Sequence, residues 1–172
     1  MNSVRITSGK YRGRKIATPG GKTHPMGERE RIALFNIIVD ALPGAVVLDA
    51  YAGSGALGIE ALSRGASRVV FIENTPLAVR TIKENLHSIE AEAEVVSQNV
   101  MDFTTSERFD VIIADPPYDD YDLDGVNKLT PFLKEDGVLV LSHPGEAPEV
   151  NGLRLKKSRS YAGATISFFV KA

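Results

Sequence analysis

The chain has 172 residues, of which 43% are hydrophobic and 24% charged, with fifteen Gly and nine Pro; this excludes disordered, collagen-like and coiled-coil chains and suits one core burying roughly 70% of the unfolded surface. The absence of Cys excludes disulfides and thiolate metal centres, the scattered His24, His87 and His143 make a poor metal set, and no run approaches the roughly 20 apolar residues of a membrane span. The net charge of −2 is uneven: residues 1–27 hold Arg5, Lys10, Arg12, Arg14, Lys15 and Lys22 and no acid, so the rest carries −8.

A basic N-terminal extension on an acidic body favours a phosphate-rich partner through counterion release, although Lys and Arg on an exposed strand also block edge-to-edge pairing. Residues 4–8 and 14–17 flank SGKYRG, a Gly-containing link suited to a small β-hairpin. Residues 28–42 place Ile32, Phe35, Ile38, Val39 and Leu42 at helical spacing, with Glu28 and Glu30 in the first turn. Strands are expected at 46–50, 68–72, 94–97, 109–114 and 137–141, with helices at 56–64, 76–87 and 123–134 between them. This alternation predicts an α/β fold with a mostly parallel sheet. Residues 153–158 and 164–170 lack an intervening helix and are expected as an antiparallel edge pair. One domain spans 1–172, with 1–27 as a basic hairpin extension and 28–172 as the core. His87 is expected to end a helix at the surface and His143 to lie in a loop. The opening MNSVRITSGKYRGRK has no signal-peptide character, so a cytoplasmic location is expected.

Two motifs carry chemistry. Asp49-Ala-Tyr-Ala-Gly53-Ser-Gly55-Ala-Leu-Gly58 lies where a strand turns into a helix, a place that needs glycine for a tight turn and close ligand approach. Gly53 to Gly58 matches GxGxxG, and Glu73 follows Gly53 by 20 residues, as in dinucleotide-binding folds, so an oxidoreductase is one reading. That reading leaves Asp49 unexplained. Acids ending strands one and two around a glycine turn instead resemble the S-adenosylmethionine (SAM) turn of class I methyltransferases. Asp115-Pro116-Pro117-Tyr118 closes the fourth core strand, at the carboxyl edge where doubly wound sheets bind ligands. The prolines stiffen the backbone and leave carbonyl acceptors. Asp115 and the Pro116 carbonyl could align a weakly nucleophilic planar amine, and Tyr118 offers a stacking face for a base.

Over nearly the whole chain the sequence resembles the RsmD family of small-subunit ribosomal RNA guanine-N2 methyltransferases. The matching stretches are RITSGKYRGRKIATP, RIALFNII, VLDAYAGSGALGIEALSRGA, VVFIE and FDVIIADPPY. The resemblance implies a Rossmann-like class I fold, with a seven-stranded, mostly parallel sheet, that transfers a methyl group from SAM to guanine N2 in 16S rRNA or the small ribosomal subunit. It implies SAM contacts from Asp49, Tyr51, Ala52, Gly53, Ser54, Gly55, Glu73, Asn74, Asn99, Val100 and Asp115. Asp115, Pro116, Pro117 and Tyr118 would hold the guanine, and Arg5, Lys10, Arg12, Arg14, Lys15, His24 and Arg29 would contact RNA. No metal is implied, and a monomer is expected. Departures from the family pattern are His24-Pro25-Met26-Gly27-Glu28-Arg29 before the first helix, Tyr51 where Phe is usual, Asn99 where Asp is common, Ser142-His143 after the fifth strand, and Tyr161-Ala162-Gly163 near the end. Rival readings are a methylase of protein glutamine amide or of DNA bases, a dinucleotide-dependent oxidoreductase, and a noncatalytic RNA-binding assembly factor.

Overall fold

The computed structural model describes residues 2–20, 26–119 and 121–172. His24 and Lys22 lie outside the described residues. The basic extension forms an antiparallel hairpin of β1 (Ser3–Arg5) and β2 (Lys15–Ala17). Its link carries Gly9 and Gly13 at positive φ. Helix α1 (Glu28–Ile37) is shorter than the pattern predicts: Ile38 leaves helical geometry, and residues 39–41 form a 3-10 turn. The core continues with β3 (Val46–Ala50), α2 (Ala56–Ser63), β4 (Arg68–Glu73), α3 (Pro76–Ser88), β5 (Glu94–Ser97) and β6 (Phe109–Ala114). Next comes α4 (Leu123–Leu129). The expected helix to residue 134 stops early because Pro131 lacks the N–H needed to continue it, and β7 (Leu133–His143) has already begun. The chain ends in β8 (Leu153–Tyr161) and β9 (Ala164–Lys171).

The seven core strands run in the order β5-β4-β3-β6-β7-β9-β8. The first five are parallel, and β9 lies antiparallel between β7 and β8. This is the α/β Rossmann-like arrangement expected. Residues alternate along each buried strand, so successive side chains enter opposite layers. Val47, Val69, Phe71, Val111 and Ile113 pack under the hairpin, α1, α2 and α3. Leu48, Val70, Ile72, Ile112 and Leu139 form the other layer with α4.

Charged and polar side chains fasten the hairpin to this core. Glu60 of α2, fully buried, accepts the Thr7 and Ser8 N–H groups and Nε of Arg64. Ser63 Oγ accepts the Tyr11 N–H and donates to the Ser8 carbonyl. Buried Arg31 donates to the Arg5 carbonyl and stands 3.9 Å from Glu60. Buried Asn85 of α3 pairs with both backbone groups of Ala17 and also donates to the Ser54 carbonyl. One side chain thus joins the end of the hairpin to the glycine turn.

Candidate active site

A cleft of about 1450 Å³ opens at the carboxyl ends of the parallel strands. Its wall includes residues 51–54, Glu73, Asn74, Asn99, Val100 and the whole of Asp115 to Tyr118, so the fold brings both sequence motifs to one space. Two expected cofactor residues, Asp49 and Gly55, stand behind the wall instead. Asp49 is buried beneath the turn, where Oδ2 accepts the Gly58 N–H at 2.9 Å and Oδ1 has no partner. Burial away from water, with Asp115 and Glu73 nearby, pushes its carboxyl well above the usual range, although the Gly58 N–H opposes this.

The glycines set the wall's shape. Gly55, the N-cap of α2, has φ 83°, a left-handed conformation that costs other residues about 1–2 kcal/mol. At Gly58 a Cβ would stand 2.3 Å from the Phe71 ring, so only glycine lets α2 lie this close to β4. Glu73 is held from three sides: Oε2 accepts the Gly53 N–H at 2.8 Å, and Oε1 accepts those of Asn74 and Thr75 at 3.1 Å. A carboxylate has about four lone-pair sites, so the fixed group retains acceptor capacity for a ligand hydroxyl. The Asn99 amide oxygen caps the turn at residues 100–102 by accepting the Met101 N–H at 2.9 Å. One of the two acceptor sites of that oxygen is therefore taken by a local backbone bond.

At the opposite side, Asp115 is partly buried and its pKa is pushed up to about 6 by desolvation, which outweighs hydrogen bonding from Ser142. The Tyr118 hydroxyl pairs with Ser142 Oγ. Desolvation raises the Tyr118 pKa as well, opposed by Ser142 and aided by the Asp115 charge. Ser142 is thus a shared polar anchor for Asp115 and Tyr118. Tyr51, at φ 58°, reaches the loop beyond this corner: its hydroxyl donates to Asp122 Oδ2 at 2.7 Å, and Asp122 Oδ1 caps α4 through the Gly125 N–H. Tyr121 also lines the cleft; its hydroxyl is buried without a partner, and burial beside Tyr118 pushes its pKa up to about 12.

Arg5, Lys10, Arg12, Arg14, Lys15 and Arg29 are all exposed. Arg14 is partly committed, because Nη2 donates to the Ser88 carbonyl at the end of α3. His87 is exposed at the last turn of α3, as expected. His143 corrects the loop expectation: it ends β7, is fully buried, and bonds Pro144 O and Ser167 Oγ through its two ring nitrogens. Since a carbonyl only accepts, Nδ1 carries a proton toward Pro144. Among the described residues, no group of three or more His, Cys, Asp or Glu is placed to hold a metal ion. No helix among them is long and apolar enough to cross a membrane.

The family model described as conserved hypothetical protein 95 matches residues 4–170. Ribosomal RNA small subunit methyltransferase D of Haemophilus influenzae is 37% identical over 67% of this chain. The chain is a member of the RsmD family of methyltransferases. YlbH of Bacillus subtilis, another relative of this RsmD-family chain, is 32% identical over 98% of the chain and 99% of its own length. The Haemophilus match, by contrast, spans 64% of that relative. The solved structure of Escherichia coli yhhF superposes on the chain with a TM-score of 0.90 at 30% identity, covering 99% of this RsmD-family chain and 98% of that one. Similarity over both lengths at this level extends the RsmD resemblance to the hairpin and to β8 and β9.

Proposed function

We propose that the protein transfers a methyl group from SAM to the exocyclic N2 amine of a guanine in small-subunit ribosomal RNA. The observation that carries this reading is that Asp115-Pro116-Pro117-Tyr118 and the glycine turn with Glu73 line one cleft. Support also comes from the name of the Haemophilus relative.

The residues fit SAM on two counts. Glu73 is a fixed carboxylate with acceptor capacity suited to a ribose diol, and the unpartnered Asp49 Oδ1, buried behind the cleft wall, would reach the ammonium at the amino-acid end only through water. When bound, SAM supplies a methyl group already made electrophilic by its sulfonium. The protein's task is then alignment and exclusion of water. Asp115 and the Pro116 carbonyl would accept the two N2 hydrogens and favour a pyramidal nitrogen with its lone pair free. Methylation of that amine would require it to lose one proton. Asp115, with its pKa raised to about 6, is able to hold it before release to water. Tyr118, tethered by Ser142, presents its ring to the base, a contact of about 1–3 kcal/mol. The exposed hairpin cations would grip phosphates around the target. We place this activity in the cytoplasm, with a monomer acting on RNA shape.

The test is incubation with methyl-labelled SAM and undermethylated small ribosomal subunits, naked 16S rRNA or ribosomal proteins, followed by digestion. N2-methylguanosine is the expected product. Label in protein, or none despite SAM binding, overturns the reading.

A further inference from the structure

The second basic surface of the molecule lies far from the hairpin in sequence. Strand β8 reads LRLKKSRSY, with Arg154, Lys156, Lys157 and Arg159 and no acid. It is the outermost strand of the sheet. Arg154, Lys156 and Arg159 are exposed and Lys157 is half-buried, and among the described residues none of the four is ion-paired. The opposite edge of the same sheet has the reverse sign: exposed Glu90, Glu92 and Glu94 lead into and begin β5. Protection of an edge from pairing is met by a charge, Lys above all, or by a bulge. The register already shifts between Leu155 and Lys157, so a bulge is present and four cations exceed what protection requires.

Topology gives the charge a direction. Because β9 is antiparallel to β7 and β8 is antiparallel to β9, β8 runs with the parallel strands and ends at the cleft side. Ala162, Gly163 and Ala164, which follow β8, line the cleft. So do Thr18, Pro19 and Gly20, which follow β2 of the basic hairpin. The two basic elements therefore lead to the same opening.

We propose that β8 is a second phosphate-binding rail, which together with the hairpin holds RNA across the cleft. This rests on the proposed RNA-directed function and extends it. Five residues of strand separate Arg154 from Arg159, about 17 Å at about 3.3 Å each.

The test is a variant with Arg154→Gln, Lys156→Gln, Lys157→Gln and Arg159→Gln, compared with wild type and with the charge-preserving pair Arg154→Lys and Arg159→Lys. Binding to naked 16S rRNA and to undermethylated small subunits is measured across salt concentrations, alongside SAM affinity, kcat and solution mass. Loss of four phosphate contacts should flatten the slope of log K against log salt by about three. KM for RNA should rise, while SAM affinity and kcat at saturating RNA stay at wild-type values and the charge-preserving pair keeps the full slope. If the four-fold variant misfolds, Lys156→Gln with Arg159→Gln should still flatten the slope by about half that amount. An unchanged slope in a folded variant overturns the rail alone, and so does self-association with an unchanged slope, which would make β8 an edge guard only. Wild-type protein that neither binds nor methylates RNA overturns the parent function and the rail with it.

Discussion

Replacing Asp115 with Asn should stabilise the protein at neutral pH while abolishing most methyl transfer. Desolvation lifts the folded-state pKa of Asp115 from 3.8 to about 6. A raised pKa means that the folded state holds this proton more tightly than the unfolded chain does. The favourable contribution is therefore complete below about pH 4 and is lost as pH rises through about 6. The difference of about two pH units corresponds to about 3 kcal/mol at 1.36 kcal/mol per unit, and partial contact with cleft water reduces it to about 2. An amide of the same shape carries no such penalty and can still accept from Ser142. Urea unfolding from pH 4 to 8 should show wild type and variant nearly equal near pH 4, with the variant ahead by about 2 kcal/mol at pH 7.5. For a chain of this size that is a rise of about 4–8 °C in Tm. A variant no more stable than wild type at pH 7.5, or one whose advantage is the same at every pH, would refute the desolvation argument. In the wild type, the same ionisation should make kcat/KM climb through pH 6.

Three further outcomes are expected. Asn85→Ala leaves the Ala17 N–H, the Ala17 carbonyl and the Ser54 carbonyl without their partner, so urea unfolding should show a loss of about 2–4 kcal/mol; a loss under about 0.5 would mean that water replaces all three bonds. Gly58→Ala forces a methyl group against Phe71 and should lower stability by about 1–3 kcal/mol, read as a drop in Tm. Glu73→Ala removes the fixed carboxylate and frees the Gly53 N–H, so calorimetry should find SAM affinity weakened by about tenfold or more; unaltered affinity would remove Glu73 from the cofactor site.

The parts of the site that local backbone chemistry defines were legible in the sequence. Pro116 and Pro117 restrict φ wherever they stand, and the glycines between residues 53 and 58 mark a turn that other side chains could not make. The ends of α1 and α4 were less so: hydrophobic spacing continued past Ile37 and Leu129, whereas the chain had already turned into 3-10 geometry. Long-range polar contacts left no local trace. Glu60, Arg31 and Asn85 sit on helices at positions where charged and amide side chains ordinarily meet water, and only tertiary packing of the hairpin buries them. The basic run of β8 was legible residue by residue but masked by the net acidity of everything after residue 27. The hydrophobic strand pattern fades at Leu141 and gives no sign that His143 is buried; its ring bonds buried Ser167, which pairs in turn with exposed Ser158.

The tethering of the hairpin bears on how its role can be dissected. Cutting away the first 18 or so residues would strip Glu60 of the Thr7 and Ser8 amides, leaving a carboxylate beneath a newly opened surface with Arg64 and Arg31 as its remaining partners. The same cut would expose the wells that Ile6 and Ile16 fill and leave Asn85 with the Ser54 carbonyl as its remaining partner. A truncated protein would thus be expected to lose solubility before it revealed anything about RNA. The converse is useful: a dye grafted onto the exposed link near Gly13, itself kept as glycine because its φ of 85° strains any other residue, inherits an orientation set by the hairpin. The segment is a built-in fiducial arm, and distances from its tip to a labelled RNA would report the docking pose directly.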